Sequence, residues 1–234
     1  MRRFLLLLTI AFPLSCLAQI GEPRSQLSLG GGVGVALSKV SFSPSVVQSY
    51  HTAPYGGLTV RYTCEKYFSL ICALQAEFNY GVMGWTEHCM SSANVPLPDT
   101  YSRHIHYLQV PLLAHLGLGR EQQGFMGYLL LGPQVGFALG DSESRSSVWT
   151  LDEAGHPDRL NGRYAQYDLP LKHKFDYGIT GGLGVQYSTG TGHFLLEGRY
   201  YFGLSDLFGA AKGDAFSRSS MSTIYIRAAY LFDI

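Results

Sequence analysis

The charged residues Arg61, Glu77, Glu197, Arg199 and Arg227 stand out because the segments around them carry almost no charge. Each lies on the polar side of an alternating apolar and polar pattern. Carboxylates and guanidiniums taken out of water must be paired or solvated, so their chemistry is that of an ion-pair network. Gln109 and Gln134 occupy the same kind of face as neutral partners. Glu197, Arg199 and Arg227 come from neighbouring segments and are expected to share one network. Such a network either plugs an interior or lines a gated polar path.

Other residue types suggest other chemistry. His104 and His106 are two apart and so share one face of a strand; His51, His88 and Cys89 fall in segments expected at the same end. Imidazole and thiolate suit Zn²⁺, but no CxxC or HExxH spacing joins these residues, and no metal site is expected. Ser, His and Asp are plentiful in the loops without a GxSxG motif to join them. No catalytic residue and no cofactor is therefore expected, and a lipid-modifying enzyme at the outer rim is a lesser alternative. Residues 148–171 carry Trp149, Tyr164 and Tyr167 among charges of both signs. Turn signals at Ala154-Gly155-His156-Pro157 and Asn161-Gly162 mark this stretch as a long loop. Loops of this length are usually either functional or disordered; the stretch reads as a solvated hairpin extending two strands above the membrane or as a recognition loop, with its three aromatics as the candidate recognition residues. Asp152, Glu153 and Asp158 lack the spacing of an EF-hand.

The elements that position these residues are strands. In 68–82, Phe68, Leu70, Cys72, Leu74, Ala76, Phe78, Tyr80 and Val82 alternate with Ser69, Ile71, Ala73, Gln75, Glu77, Asn79 and Gly81. Period-two alternation marks a two-faced strand, and one this long with a continuously apolar face can cross a bilayer at a tilt. The pattern recurs in 27–37, 55–63, 105–118, 127–139, 175–188, 193–204 and 223–234. Pro111 and Pro133 fall inside two of these and should mark a local break or bulge. Links near 64–67, 117–124 and 189–192 are short; those near 38–54, 84–102, 140–172 and 205–222 are long. Short periplasmic turns with longer extracellular loops are the asymmetry of an outer-membrane barrel. The expected fold is therefore all-β, an eight-stranded antiparallel up-and-down transmembrane β-barrel. A secreted soluble ligand-binding barrel is the competing reading, since alternation alone does not say which face is inward.

Composition and the N-terminus agree with export. The 234 residues include 28 Gly, 16 Tyr and 13 Phe, with 15% charged residues. Glycine and aromatics with few charges suit a barrel with small residues inside and aromatics toward lipid. A formal net charge of zero gives no argument for nucleic acid as a partner. Arg2 and Arg3, an apolar run from Phe4 to Phe12, and Cys16-Leu17-Ala18 read as a signal peptide over residues 1–18, with the barrel domain over 19–234. Cleavage is expected after Ala18; lipidation at Cys16 is the alternative, which Pro13 fits poorly. Of the remaining cysteines, Cys64 and Cys72 sit asymmetrically about a turn, a doubtful geometry for a bridge, and Cys72 reads as a small lipid-facing residue.

Several stretches carry a family resemblance: Tyr107-Leu-Gln-Val-Pro-Leu-Leu113, Leu131-Gly-Pro-Gln-Val-Gly136, Phe175-Asp-Tyr-Gly-Ile-Thr-Gly-Gly182, Leu196-Glu-Gly-Arg-Tyr200 with Gly203-Leu204, and Ala229-Tyr-Leu-Phe-Asp233. In this order they resemble the PorT-type outer-membrane β-barrel family of Bacteroidetes-like bacteria. The resemblance implies an eight-stranded meander in the outer membrane, and it raises a link to protein secretion through a type IX-like system. The implied partners are outer-membrane lipid, the barrel-insertion machinery, which would read the terminal strand ending in Phe232 and Ile234, and a secretion-system or surface partner. The implied role is structural or interactive, through the extracellular loops.

Overall fold

The computed structural model describes residues 22–120 and 123–234; the expected leader, with Cys16 and Ala18, lies outside them. The strands are β1 (Glu22–Ser43), β2 (Gln48–Tyr67), β3 (Leu70–Met90), β4 (Pro96–Gly119), β5 (Gly124–Arg145), β6 (Phe175–Ser188), β7 (Gly192–Gly203) and β8 (Arg218–Asp233). Each pairs antiparallel with the next, and β8 pairs back onto β1 from Asp233 opposite Ser28 to Arg218 opposite Ser43, closing the barrel.

Successive side chains of a strand point to opposite faces, and here the apolar face is outward. Leu74 is 47% exposed whereas its neighbour Gln75 is fully buried. Leu58 and Leu183 are exposed by 67% and 64%. An apolar surface this continuous is not held in water; it is a lipid-facing band. On β1 it runs from Leu27 to Leu37, roughly 25 Å once a rise of about 3.3 Å per residue is projected at a tilt of about 40°. Tyr80, Phe137, Tyr177 and Phe202 mark its outer margin; Tyr62, Phe125, Tyr187 and Phe194 mark its inner one. These are the two aromatic girdles of a membrane barrel. A soluble ligand-binding barrel needs the reverse facing.

Beyond the outer girdle the polarity of the faces inverts. Val40, Phe42, Met83, Trp85, Tyr101 and Ile105 point inward, where they form an apolar core with Leu207, Phe208 and Phe216 from the β7–β8 connection. Trp149, Tyr167, Leu169 and Leu171 from the β5–β6 connection pack against it. The stretches 38–54 and 84–102, expected as long loops, are consequently mostly strand, in hairpins that turn at 44–47 and 91–95. The long connections are 146–174 and 204–217. Each proline marks a local break in the ladder without a change of register: β3–β4 pairing lapses at Pro111, between Ala76–Leu112 and Asn79–Gln109, and β4–β5 pairing lapses at Pro133, between Pro111–Gln134 and Ala114–Leu131. Register shifts fall elsewhere, among them one between His106 and Tyr107 and one between Thr63 and Glu65, where Cys64 is the extra residue. Cys64, Cys72 and Cys89 are all free thiols.

Candidate functional site

Inward-facing polar residues of β2, β3, β5, β6, β7 and β8 converge in the middle of the lumen. Arg199 donates to Glu77 through Nη1 at 2.9 Å and Nη2 at 2.6 Å, and also to Glu197. Arg227 reaches both carboxylates, at 3.3 Å from Glu77 and 3.2 Å from Glu197, and donates to Thr59. Gln75 and Asn79 donate to Glu77 at 2.6 and 2.8 Å, and Tyr128 donates to Glu197 at 2.8 Å. Arg61 takes a different position: its Nε donates to Gln75 at 2.9 Å and its Nη1 to Gln186 at 2.5 Å. Small residues make this crowding possible. A Cβ at Gly32 would lie 2.6 Å from Arg227 Nε, and one at Gly184 would lie 2.5 Å from the Tyr128 ring.

A neutral layer sits toward the outer end. Tyr225 links to Gln109 at 2.9 Å and to Gln134 at 3.4 Å, and Thr180 donates to Gln134 at 2.7 Å. Asp176 lies here as well, accepting from Tyr201 at 2.7 Å and from Ser205. The sequence-predicted lumen residues therefore fall in two adjoining layers: Arg61, Glu77, Glu197, Arg199 and Arg227 in one, Gln109 and Gln134 in the other.

The connection 146–174 is fastened to the outer rim by buried polar contacts. Arg159 pairs with Asp99 at 2.8 Å, both only 4% exposed. Its Nε donates to the Tyr167 hydroxyl at 2.7 Å, which in turn donates to Glu87 at 2.8 Å. Gln166 and the Trp85 indole N–H also donate to Glu87, at 3.0 and 3.1 Å. Burial, followed by the neighbouring Glu87 charge, raises the Tyr167 pKa, so the phenol remains a donor. Trp149 and Tyr167 stack on each other with the Arg159 guanidinium over both rings. Of the three candidate recognition aromatics, these two face the barrel and hold the loop. Tyr164 is exposed and stacks on His156.

The histidines divide into unlike environments. His51 Nε2 and His104 Nδ1 are 3.3 Å apart, His106 contacts the Tyr80 hydroxyl at 2.7 Å, and His88 is exposed. Among the described residues no three His, Cys, Asp or Glu side chains gather as a metal site. A contact that sequence reading did not anticipate lies at the periplasmic mouth. His193 Nδ1 is 2.9 Å from Ser188 Oγ, and its Nε2 is 2.9 Å from Asp233. Ser188 is buried and its hydroxyl accepts from Gln186 at 2.9 Å. This arrangement ties β6, β7 and β8 together, and Ser28 adds β1 through its own bond to Asp233 at 2.7 Å. Its signal in the sequence was the shared inward parity of Gln186 and Ser188, with His193 just across a short turn.

Residues 17–209 match the outer membrane protein beta-barrel domain family. The chain belongs to that family. It is an integral protein of the outer membrane, with the apolar outer face of the barrel in lipid. No curated protein matches it. Solved structures similar to it include Neisserial surface protein A, at 12% identity and a TM-score of 0.44 over 88% of this chain and 96% of that one. Others are Ail of Yersinia pestis in complex with the heparin analogue sucrose octasulfate, at 16% and 0.40 over 89% and 100%, and OprG of Pseudomonas aeruginosa, at 15% and 0.37 over 91% and 95%.

Proposed function

We propose that this outer-membrane barrel is an interaction protein whose working surface is the connection 146–174, with no catalytic activity of its own. The observation that carries this reading is the anchoring of that connection. The buried Arg159–Asp99 pair and the half-buried Tyr167–Glu87 bond hold it in a fixed shape over the barrel, and a preorganised loop loses less entropy on binding a partner. Tyr164 supplies the exposed aromatic contact, while Trp149 and Tyr167 set its position. The interior argues against a transport role, because the lumen is filled by the charged layer and, beyond it, by the apolar core.

The PorT-like stretches give this reading its specific form, an association with type IX-like secretion machinery. Export through cleavage after Ala18 belongs to the same proposal, and N-terminal sequencing that begins at Gln19 would support it. The test of function replaces exposed Tyr164 and its stacking partner His156 with alanine and compares surface cross-links on intact cells. The expected result is a wild-type adduct that the variant loses while retaining heat-modifiable migration. Equal adducts from both proteins, or steady single-channel currents from the wild type in planar bilayers, would overturn it. Loss of secreted cargo in a deletion strain would support the secretion form, and normal secretion would remove it. A changed lipid acyl pattern on overexpression would instead point to an enzyme.

A further inference from the structure

The charged layer of the lumen holds two carboxylates, Glu77 and Glu197, and three guanidiniums. Arg199 and Arg227 contact both carboxylates. Arg61 packs over the Tyr128 ring, 5.6 Å from its centroid, and hydrogen-bonds to the amide oxygens of Gln75 and Gln186; its buried Nη2 has no hydrogen-bond partner among the described residues. Among the described residues the other lumen carboxylates are engaged elsewhere, Asp176 with Tyr201 and Ser205, and Asp233 with His193 and Ser28. Beside Arg61 lies His115, which is 1% exposed and has no hydrogen-bond partner for either ring nitrogen among the described residues. A buried cation without a counter-charge is costly, and so is a buried donor without an acceptor.

Both groups line the same cavity, of about 20 Å³, together with Ser28, Thr63, Gln186 and His193. That volume exceeds the minimum needed for one water and has room for a single small particle. The cavity adjoins a larger one of about 430 Å³ at the periplasmic mouth, and the two share Gln26 and His193 as lining residues. Gln26 and His193 are thus the residues that stand between Arg61 and solutes at the periplasmic mouth. We propose that this cavity is a binding site for a small monovalent anion of the halide class, held by Arg61 Nη2 and by an N–H of His115. The anion supplies the charge that Arg61 lacks and the acceptor that His115 lacks. Oxyanions such as sulfate are too large for the space.

The test uses the full barrel refolded in detergent micelles and exchanged into sodium gluconate. Sodium chloride or bromide is then titrated in at constant ionic strength while thermal unfolding is followed. The expected result is a saturable rise in unfolding temperature with halide and none with sulfate. The rise should be lost in Arg61→Met and weakened in His115→Phe. Bromide-soaked crystals of the wild type provide the readout that needs no variant, with an anomalous peak expected within hydrogen-bond reach of Arg61. Equal responses to halide and sulfate, or a cavity without the bromide signal, would overturn the proposal and leave a water molecule as the occupant.

Discussion

Glu77 and Arg199 meet across the full width of the lumen. Glu77 stands on β3 and Arg199 on β7, strands half a turn apart in the eight-strand ring, yet both Arg199 Nη atoms reach the one carboxylate. The bridge acts as a cross-brace, and Glu197 and Arg227 complete it from β7 and β8. Removing one partner strands a buried charge. Arg199→Met should cost about 3–5 kcal/mol, read as a lower urea midpoint for the barrel in micelles. Glu77→Gln combined with Arg199→Met should cost less than the sum of the two single changes. Strict additivity would show that the layer is not coupled.

The facing of β3 is open to a direct test. Leu74 projects into the lipid band beside its register partner Tyr62, between the inner girdle and the middle, and Leu74→Arg should destabilise the inserted state by about 1–2 kcal/mol. Thr52→Arg, on an exposed position of β2 beyond the band, should stay within about 0.5 kcal/mol of wild type. Refolding yield into lipid vesicles measures both. Equal yields would mean that Leu74 is not in lipid.

The anchored connection should loosen when one hydroxyl is removed. Tyr167→Phe deletes the donor to Glu87 and the acceptor for Arg159 Nε, at a cost of about 1–3 kcal/mol. Cleavage within 146–174 by protease added to intact cells should accelerate, while heat-modifiable migration is retained. An unchanged cleavage rate would show that the apolar stacking alone holds the segment.

Acid should act on the β7–β8 connection at low pH. The backbone N–H of Ala211, followed by the Lys172 ammonium, lowers the Asp214 pKa below its ordinary 3.8. A folded pKa below the unfolded one contributes stability that is present above the ordinary value and lost as pH falls through the folded value. The local structure around Asp214 should therefore hold at pH 5 and loosen only as pH drops below about 3.8. A carboxyl titration by NMR should give a midpoint under that of a model aspartate, and Asp214→Asn should remove the acid-dependent change. A midpoint at or above that of a free aspartate side chain would refute the assignment.

The membrane-spanning part of the barrel was legible because its faces differ in every strand; Leu74 beside Gln75 shows the rule. The outer tier was not, for a definite physical reason. Beyond Val82 the alternation continues, but Met83 and Trp85 now take the inner face while Thr86 and His88 take the outer one. A pattern read as apolar-outward ends where water replaces lipid, so the strands were expected to stop there. The inward parity of Arg61, Glu77 and Arg199 was readable, but the meeting of Glu77 with Arg199 depends on register around the whole ring. The packing of Trp149 and Tyr167 against the barrel depends on contacts between residues far apart in sequence, which local composition does not encode.

The reversal of the faces has a consequence for the seating of the barrel. The cluster around Phe42, Trp85 and Phe216 is assembled by water on the far side of the bilayer, and the hydrophobic effect acts on it as it does on a soluble protein. Sliding a strand back toward the periplasm would pull these side chains apart and drag their polar outer neighbours into hydrocarbon. The outer tier thus serves as a rivet head: the chain passes through the membrane as strands, and the knot of side chains formed beyond it keeps them from withdrawing.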